Sequence, residues 1–226
     1  MAGHFRGVRM DKVAEAFNEG GIFMWPILGV SVLVLAVVLE RCMVLYFRSS
    51  VAKEPLLKAI DKLLRAGQLD RAIKLASDSR SPLGRVISAG LAKINERKDI
   101  VQMCMDEQAL AEVPELEHRI GYLAMYSNVA TLMGLLGTIV GLIDSFGAVA
   151  HADAATKSTM LAAGIAEAMN CTAFGLIVAI PALLAFALLS AKMHALVDEI
   201  DQAALHVFNI IVDVKEGFVR PTDKDL

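Results

Sequence analysis

The stretch "TLMGLLGTIVGLIDSF", residues 131–146, is strongly apolar but carries small and hydroxyl-bearing residues at regular intervals. On an α-helix these residues, with one from the preceding turn, fall within about 40° of one line. The set consists of Ser127, Thr131, Gly134, Thr138, Gly141 and Ser145. The large side chains on the opposite side are Leu132, Leu136, Val140 and Ile143. The pattern predicts a membrane helix whose apolar side faces lipid and whose small, polar side faces something else.

The composition of the whole chain indicates a membrane protein. Hydrophobic residues make up 56% of the 226 residues, and the mean hydropathy is +0.54, which is too apolar for an ordinary soluble domain. A transmembrane helix needs roughly 20 predominantly apolar residues. We therefore predict an all-α polytopic membrane protein with transmembrane helices at residues 21–47, 120–150 and 159–192.

The distribution of basic residues predicts the orientation of these helices. Basic residues follow the first span, precede the second and close the third, namely Arg41, Arg48, Lys53, Lys58, Arg119 and Lys192. The short connection at residues 151–158 holds only Lys157. The positive-inside rule then places residues 48–119 and 193–226 in the cytoplasm and residues 1–20 outside. Three basic residues before the first span weaken this signal, namely Arg6, Arg9 and Lys12.

The remaining segments have helical periodicity. In residues 1–20, the start of "MDKVAEAFNEGG" predicts a short amphipathic helix on the membrane surface, and residues 48–119 predict a helical cytoplasmic domain. The second and third helices are predicted to extend into the cytoplasm, the third to about Gly217. An apolar stripe outside lipid needs a protein partner, either the chain's own helices or a neighbouring copy. We interpret the charged face with Glu107, Glu112, Glu115 and Glu117 as a solvated surface.

Several classes of function are not supported by the sequence. It has no visible nucleophile–base pair, phosphate-binding loop or metal-ligand spacing, so we predict no enzymatic activity, no cofactor and no metal. Its three cysteines, Cys42, Cys104 and Cys171, form no disulfide framework. The formal net charge of −3 gives no reason to expect a nucleic-acid partner.

The third span, "GIAEAMNCTAFGLIVAIPALL", residues 164–184, carries an acidic residue. A carboxylate such as Glu167 inside a bilayer costs roughly 2.5–3.5 kcal/mol or more, so Glu167 is a functional candidate, with an interfacial position as the alternative. For Asp144, near the corresponding end of the second span, we favour the interfacial position. Glycines on the two spans predict close helix packing, at Gly134, Gly137, Gly141, Gly164 and Gly175.

Hydroxyl groups beside a membrane carboxylate can order a chain of water molecules that conducts protons. The candidates for such a pathway are Glu167 and the hydroxyl residues Thr131, Thr138, Ser145 and Thr172. Two helices of one chain cannot enclose a lumen, so several copies would have to surround it. Hydroxyls in spans are also common without any function, because they bond back to the helix backbone.

Four blocks of this sequence resemble the ExbB/TolQ/MotA proton-channel family, in particular its three-span ExbB and TolQ branch. They are "MWPILGVSVLVLAVVLER", "SPLGRVISAGL", "GLLGTIVGLIDSF" and "GIAEAMNCTAFGLIVAIPALL". By position, the resemblance assigns the pore threonines to Thr138 and Thr172 and the acid to Glu167. The chain departs from the family pattern at Thr131, where proline is usual, and at Asn170 and Cys171, where small apolar residues are usual.

The resemblance also implies a function and partners. Five copies would surround a dimer of a one-span ExbD/TolR-like partner, whose membrane aspartate carries protons. The chain would then be the channel-forming subunit of a motor in the bacterial inner membrane, driven by the proton motive force. Its N-terminus would be periplasmic, and the motor would act on an envelope-spanning effector protein. The alternative is a non-conducting oligomeric scaffold in the lipid bilayer. Nutrient uptake, envelope maintenance, gliding and secretion stay open as the process that is powered.

Overall fold

The computed structural model describes residue 17 and residues 20–48, 53–79, 81–153 and 155–215. This part of the chain is helical and contains no strand, so the predicted all-α fold is confirmed. Its helices are α1 (Met24–Cys42), a π-helical segment (Met43–Arg48), α2 (Lys53–Arg65), α3 (Leu69–Asp78), α4 (Pro82–Ala92), α5 (Lys98–Glu117), α6 (Ile120–Ala150) and α7 (Lys157–Lys215). Except for Phe17 and Gly20, the amphipathic segment predicted at residues 1–20 lies outside the described residues.

Three helical stretches in the described ranges are long and apolar enough to cross a membrane, as predicted. They are Met24–Tyr46, Lys98–Ala150 and Lys157–Lys215. The second stretch consists of α5 and α6, which are separated at Arg119, where the backbone is left-handed with φ of 65°. The third is one continuous helix of 59 residues, so the predicted extension of the third span is confirmed. The orientation of the spans stays a prediction.

One compact unit contains most of α1, all of α6 and the first half of α7, within residues 1–39 and 119–188. Its buried core consists of Met24, Ile27, Ala130, Cys171, Val178 and Ala179. Large apolar side chains cover the outside of α6, where Leu132 and Ile143 are each 64% exposed. Such continuous apolar exposure is disfavoured in water and is typical of a surface that contacts lipid or other copies.

The second compact unit contains α2 to α5 and the end of α7, within residues 40–118 and 189–226. The apolar stripe on this part of α7 is buried, at Leu196, Ile200, Ala203, Val207 and Ile211. Residues of α2 and of α5 each line a cleft together with residues 201–208 of α7. The chain's own helices therefore cover the stripe. This was one of the two alternatives that the sequence left open, the other being a neighbouring copy.

Candidate functional site

Helices α6 and α7 approach each other closely enough for backbone contact. A side-chain carbon on Gly175 would lie 2.8 Å from the carbonyl oxygen of Ala130 and 3.1 Å from the α-carbon of Gly134. A side-chain carbon on Gly134 would lie 3.2 Å from the α-carbon of Thr172. The same contact continues along both helices, with Gly137 against Cys171, Gly141 against Ala168 and Gly164 against Ser145. The five glycines that the sequence assigns to packing therefore all lie between these two helices.

Two hydroxyl groups link α6 and α7 by hydrogen bonds to backbone carbonyls. The hydroxyl of Thr172 donates to the carbonyl oxygen of Gly134 at 3.0 Å. The buried hydroxyl of Ser127 donates to the carbonyl oxygen of Ala179 at 2.8 Å. Because few polar partners exist in the bilayer, each bond helps to fix the position of one helix along the other.

Three further hydroxyls of α6, those of Thr131, Thr138 and Ser145, bond within their own helix. Thr131 donates to the carbonyl of Ser127 at 3.1 Å, and Thr138 donates to that of Leu135 at 2.6 Å. Ser145 donates to the carbonyl of Gly141 at 2.5 Å and is buried. Within the described chain, the small and polar side of the stretch at residues 131–146 thus faces mainly the third span of the same molecule.

The acidic residues line a cleft of about 580 Å³ at the end of this helix pair. Its lining residues are Gly141, Asp144, Ser145, Ala148, Met160, Ala163, Gly164, Ala166 and Glu167. The side chains of Asp144 and Glu167 are exposed, so both carboxylates are accessible from outside the chain.

The structure brings only some of the candidate pathway residues together. Glu167 and Ser145 share the cleft, whose lining does not include Thr131, Thr138 or Thr172. Glu167 and Thr172 are five residues apart on α7, which separates them by about 140° around the helix. In the described part of one chain, Thr138 and Thr172 therefore lie outside the cleft that Glu167 lines, and a common lumen stays a prediction for an oligomer.

Comparison with known proteins assigns the family of this chain. Residues 78–202 match the profile of the MotA/TolQ/ExbB proton channel family. A protein of Synechocystis sp. named ExbB-like 3 is 31% identical over 186 residues, covering 80% of this chain and 87% of the relative. This chain belongs to the MotA/TolQ/ExbB proton channel family. The matched range of this family member contains every candidate pathway and packing residue.

Other MotA/TolQ/ExbB relatives agree with this assignment. The biopolymer transport protein exbB1 of Vibrio cholerae is 26% identical over 226 aligned positions, covering 96% of this chain and 94% of the relative. The TolQ protein of Haemophilus influenzae is 42% identical over 85 residues, covering 38% of this chain and 37% of that relative. The structure of C. jejuni MotAB matches with a TM-score of 0.56 and 16% identity, covering 81% of this chain and 69% of that one. This last likeness shows a shared fold.

An ion pair in the second unit of this channel-family chain was missed by the sequence analysis. The expectation of a solvated acidic face was wrong for Glu112, which is 6% exposed. Its carboxylate accepts hydrogen bonds from the guanidinium of Arg85 and, at 2.8 Å, from the side-chain amide of Gln108. The hydrogen bond to Glu112 raises the pKa of Arg85; burial opposes this, and the charges of Glu112 and Glu115 add to it.

The helical periodicity of α5 contained a signal for this burial. Val101, Met105 and Leu116 are buried on one face of α5. Glu112 follows Met105 by seven residues and precedes Leu116 by four, so it lies on the same face. A carboxylate on a buried face calls for a cationic partner.

Proposed function

We propose that this chain is the channel-forming subunit of a motor in the bacterial inner membrane that is driven by the proton motive force. The observation that carries the proposal is an accessible membrane carboxylate, Glu167, in a cleft between two tightly packed spans of a proton-channel-family chain. The proposed assembly is a homopentamer around a dimer of a one-span ExbD/TolR-like partner. The assembly performs mechanical work on an envelope-spanning effector protein.

In the proposed mechanism Glu167 takes up a proton at the outer end of the spans. Water ordered by the hydroxyls of Thr138 and Thr172 then passes the proton to the membrane aspartate of the partner. Each proton that crosses supplies about 2.3 kcal/mol per 100 mV of membrane potential. Because one chain does not enclose the pathway, neighbouring copies and the partner complete it.

The test of this proposal is proton flux into liposomes that hold the chain with its proposed one-span ExbD/TolR-like partner. Glu167→Gln keeps the shape of the side chain but removes its ionisation, so we expect flux to fall by about tenfold or more. Thr138→Val removes only a hydroxyl and should also lower flux while the oligomer still forms. Wild-type flux in both variants would remove Glu167 and Thr138 from the proposed pathway, whereas a wild-type complex without flux would favour the non-conducting scaffold.

Thr172→Val needs its own control, because Thr172 also forms a hydrogen bond between helices. Ser127→Ala removes the equivalent bond, from Ser127 to the carbonyl of Ala179, without touching the proposed pathway. Flux should fall in Thr172→Val and stay within about twofold of wild type in Ser127→Ala, since each lost bond alone costs only about 1 kcal/mol. Equal flux in Thr172→Val and Ser127→Ala would show that Thr172 acts only in helix packing.

The proposed orientation is tested by cysteine labelling in intact cells. In a chain without its native cysteines, a cysteine at the exposed Asp153 should react with a membrane-impermeant maleimide added outside, because it lies in the proposed periplasmic connection. A cysteine at the exposed Asp78 of α3 should react only after the cells are opened. The reverse pattern would overturn the orientation.

A further inference from the structure

The turn that precedes the first span contacts the acid of the third span. Gly21 lies in this turn with φ of +74°, a left-handed conformation that side chains rarely adopt. A side-chain carbon on Gly21 would collide with the carboxylate oxygen Oε1 of Glu167 and lie 3.3 Å from its Cδ. The left-handed backbone favours glycine at this position, and a larger residue would have to displace the carboxylate end of Glu167.

Contacts on either side hold this turn in place. The amide of Met24 donates to the carbonyl of Gly21 at 3.3 Å, and the Met24 side chain is 1% exposed. The ring of Phe17 packs edge-on against Phe174 of α7 and Trp25 of α1, each at 5.6 Å between ring centroids. Phe174 follows Glu167 by seven residues, so both lie on one face of α7.

We infer that Gly21 is a positioning residue for Glu167. The backbone of Gly21 restricts the carboxylate on one side, because only the absence of a side chain leaves room for Oε1, and Glu167 lines the cleft together with Asp144 and Ser145. Proton transfer depends steeply on the placement of the donor, so this restriction matters for the rate. The inference rests on the proposed function, in which Glu167 carries the proton, and it adds the start of the first span to the pathway.

The contact itself is tested by a double-mutant cycle in the purified, detergent-solubilised chain. Gly21→Ala should lower the apparent melting temperature by about 4 °C or more, because of backbone strain and the collision with Glu167. In a Glu167→Ala background the collision is removed, so the loss should be about half as large. Gly29→Ala on α1 is the matched control, because a side-chain carbon there meets nothing within 4 Å. Equal losses with and without the Glu167 side chain would overturn the inferred contact.

The positioning role is tested by proton flux in the liposomes described above, with native mass spectrometry to verify that each variant assembles. Gly21→Ala should lower flux by about threefold or more, whereas Gly29→Ala should stay within about twofold of wild type. Wild-type flux in Gly21→Ala beside lowered flux in Glu167→Gln would overturn the positioning role and leave the proposed function intact. Wild-type flux in Glu167→Gln would contradict the proposed function itself.

Discussion

Gly175→Leu is expected to separate the second and third spans and to prevent isolation of a stable oligomer. The first carbon of any side chain at this position would lie only 2.8 Å from the carbonyl oxygen of Ala130 and 3.1 Å from the α-carbon of Gly134. Both neighbours are backbone atoms of α6, so they cannot rotate away as a side chain would. Overpacking of this kind costs about 1–3 kcal/mol, occasionally more, and lipid supplies no hydrophobic force to hold the two helices together.

The measurements for Gly175→Leu are the melting temperature in detergent and the oligomer mass by native mass spectrometry. Gly147→Leu is the control, since it adds the same side chain to α6 at a position where a side-chain carbon meets nothing within 4 Å. The control should keep its mass and melting temperature. If Gly175→Leu did so too, the close contact would have no part in stability.

The sequence predicts which faces of α6 and α7 pack against each other. Spacings of three and four residues place Gly134, Gly137 and Gly141 on nearby sides of one helix, and such residues permit close approach. The register could not be predicted in this way. That Thr172 donates to the carbonyl of Gly134 depends on how far one helix is displaced along the other, which helical periodicity does not encode.

Contacts between distant residues account for most of what the sequence left undetermined. Gly21 has no local feature that relates it to Glu167, apart from belonging to a glycine pair that predicts a turn. Glu112 was misinterpreted because its charge was given more weight than its position on the apolar face of α5. The continuation of α7 to Lys215 was predictable, since the apolar periodicity runs on beyond the membrane segment.

Arg85→Leu is expected to lower the free energy of unfolding by about 3 kcal/mol. The Glu112 side chain is 7% exposed, and after the substitution its carboxylate keeps the hydrogen bond from the side-chain amide of Gln108 but loses the guanidinium. This loss of free energy lies at the lower end of the range for breaking a buried ion pair, because the Arg85 side chain is 36% exposed. Denaturant titration of the detergent-solubilised protein, followed by circular dichroism, measures this loss.

The control for Arg85→Leu is Arg97→Leu. The Arg97 side chain is 81% exposed and pairs with Asp99, so its loss should change the free energy of unfolding by no more than about 0.5 kcal/mol. The contribution of Arg85 should also stay constant as the pH is raised from neutral to about pH 9. Its pKa is raised by Glu112, so the stabilisation is complete below the already very basic unfolded pKa and is lost only as the pH rises through the folded value.

Arg85→Leu combined with Glu112→Leu distinguishes the cost of an unpaired buried carboxylate from the loss of a favourable ion pair. Replacing both partners of a buried pair by apolar side chains is often neutral, whereas removing one leaves an uncompensated charge. The double variant should therefore unfold at a higher denaturant concentration than Arg85→Leu, although it lacks one more native side chain. The two single variants, Arg85→Leu and Glu112→Leu, each lose some free energy of unfolding. If the loss in the double variant equalled the sum of these two losses, Arg85 and Glu112 would stabilise the unit independently. Recovery of stability would instead show that the cation is needed because the fold buries the carboxylate on α5.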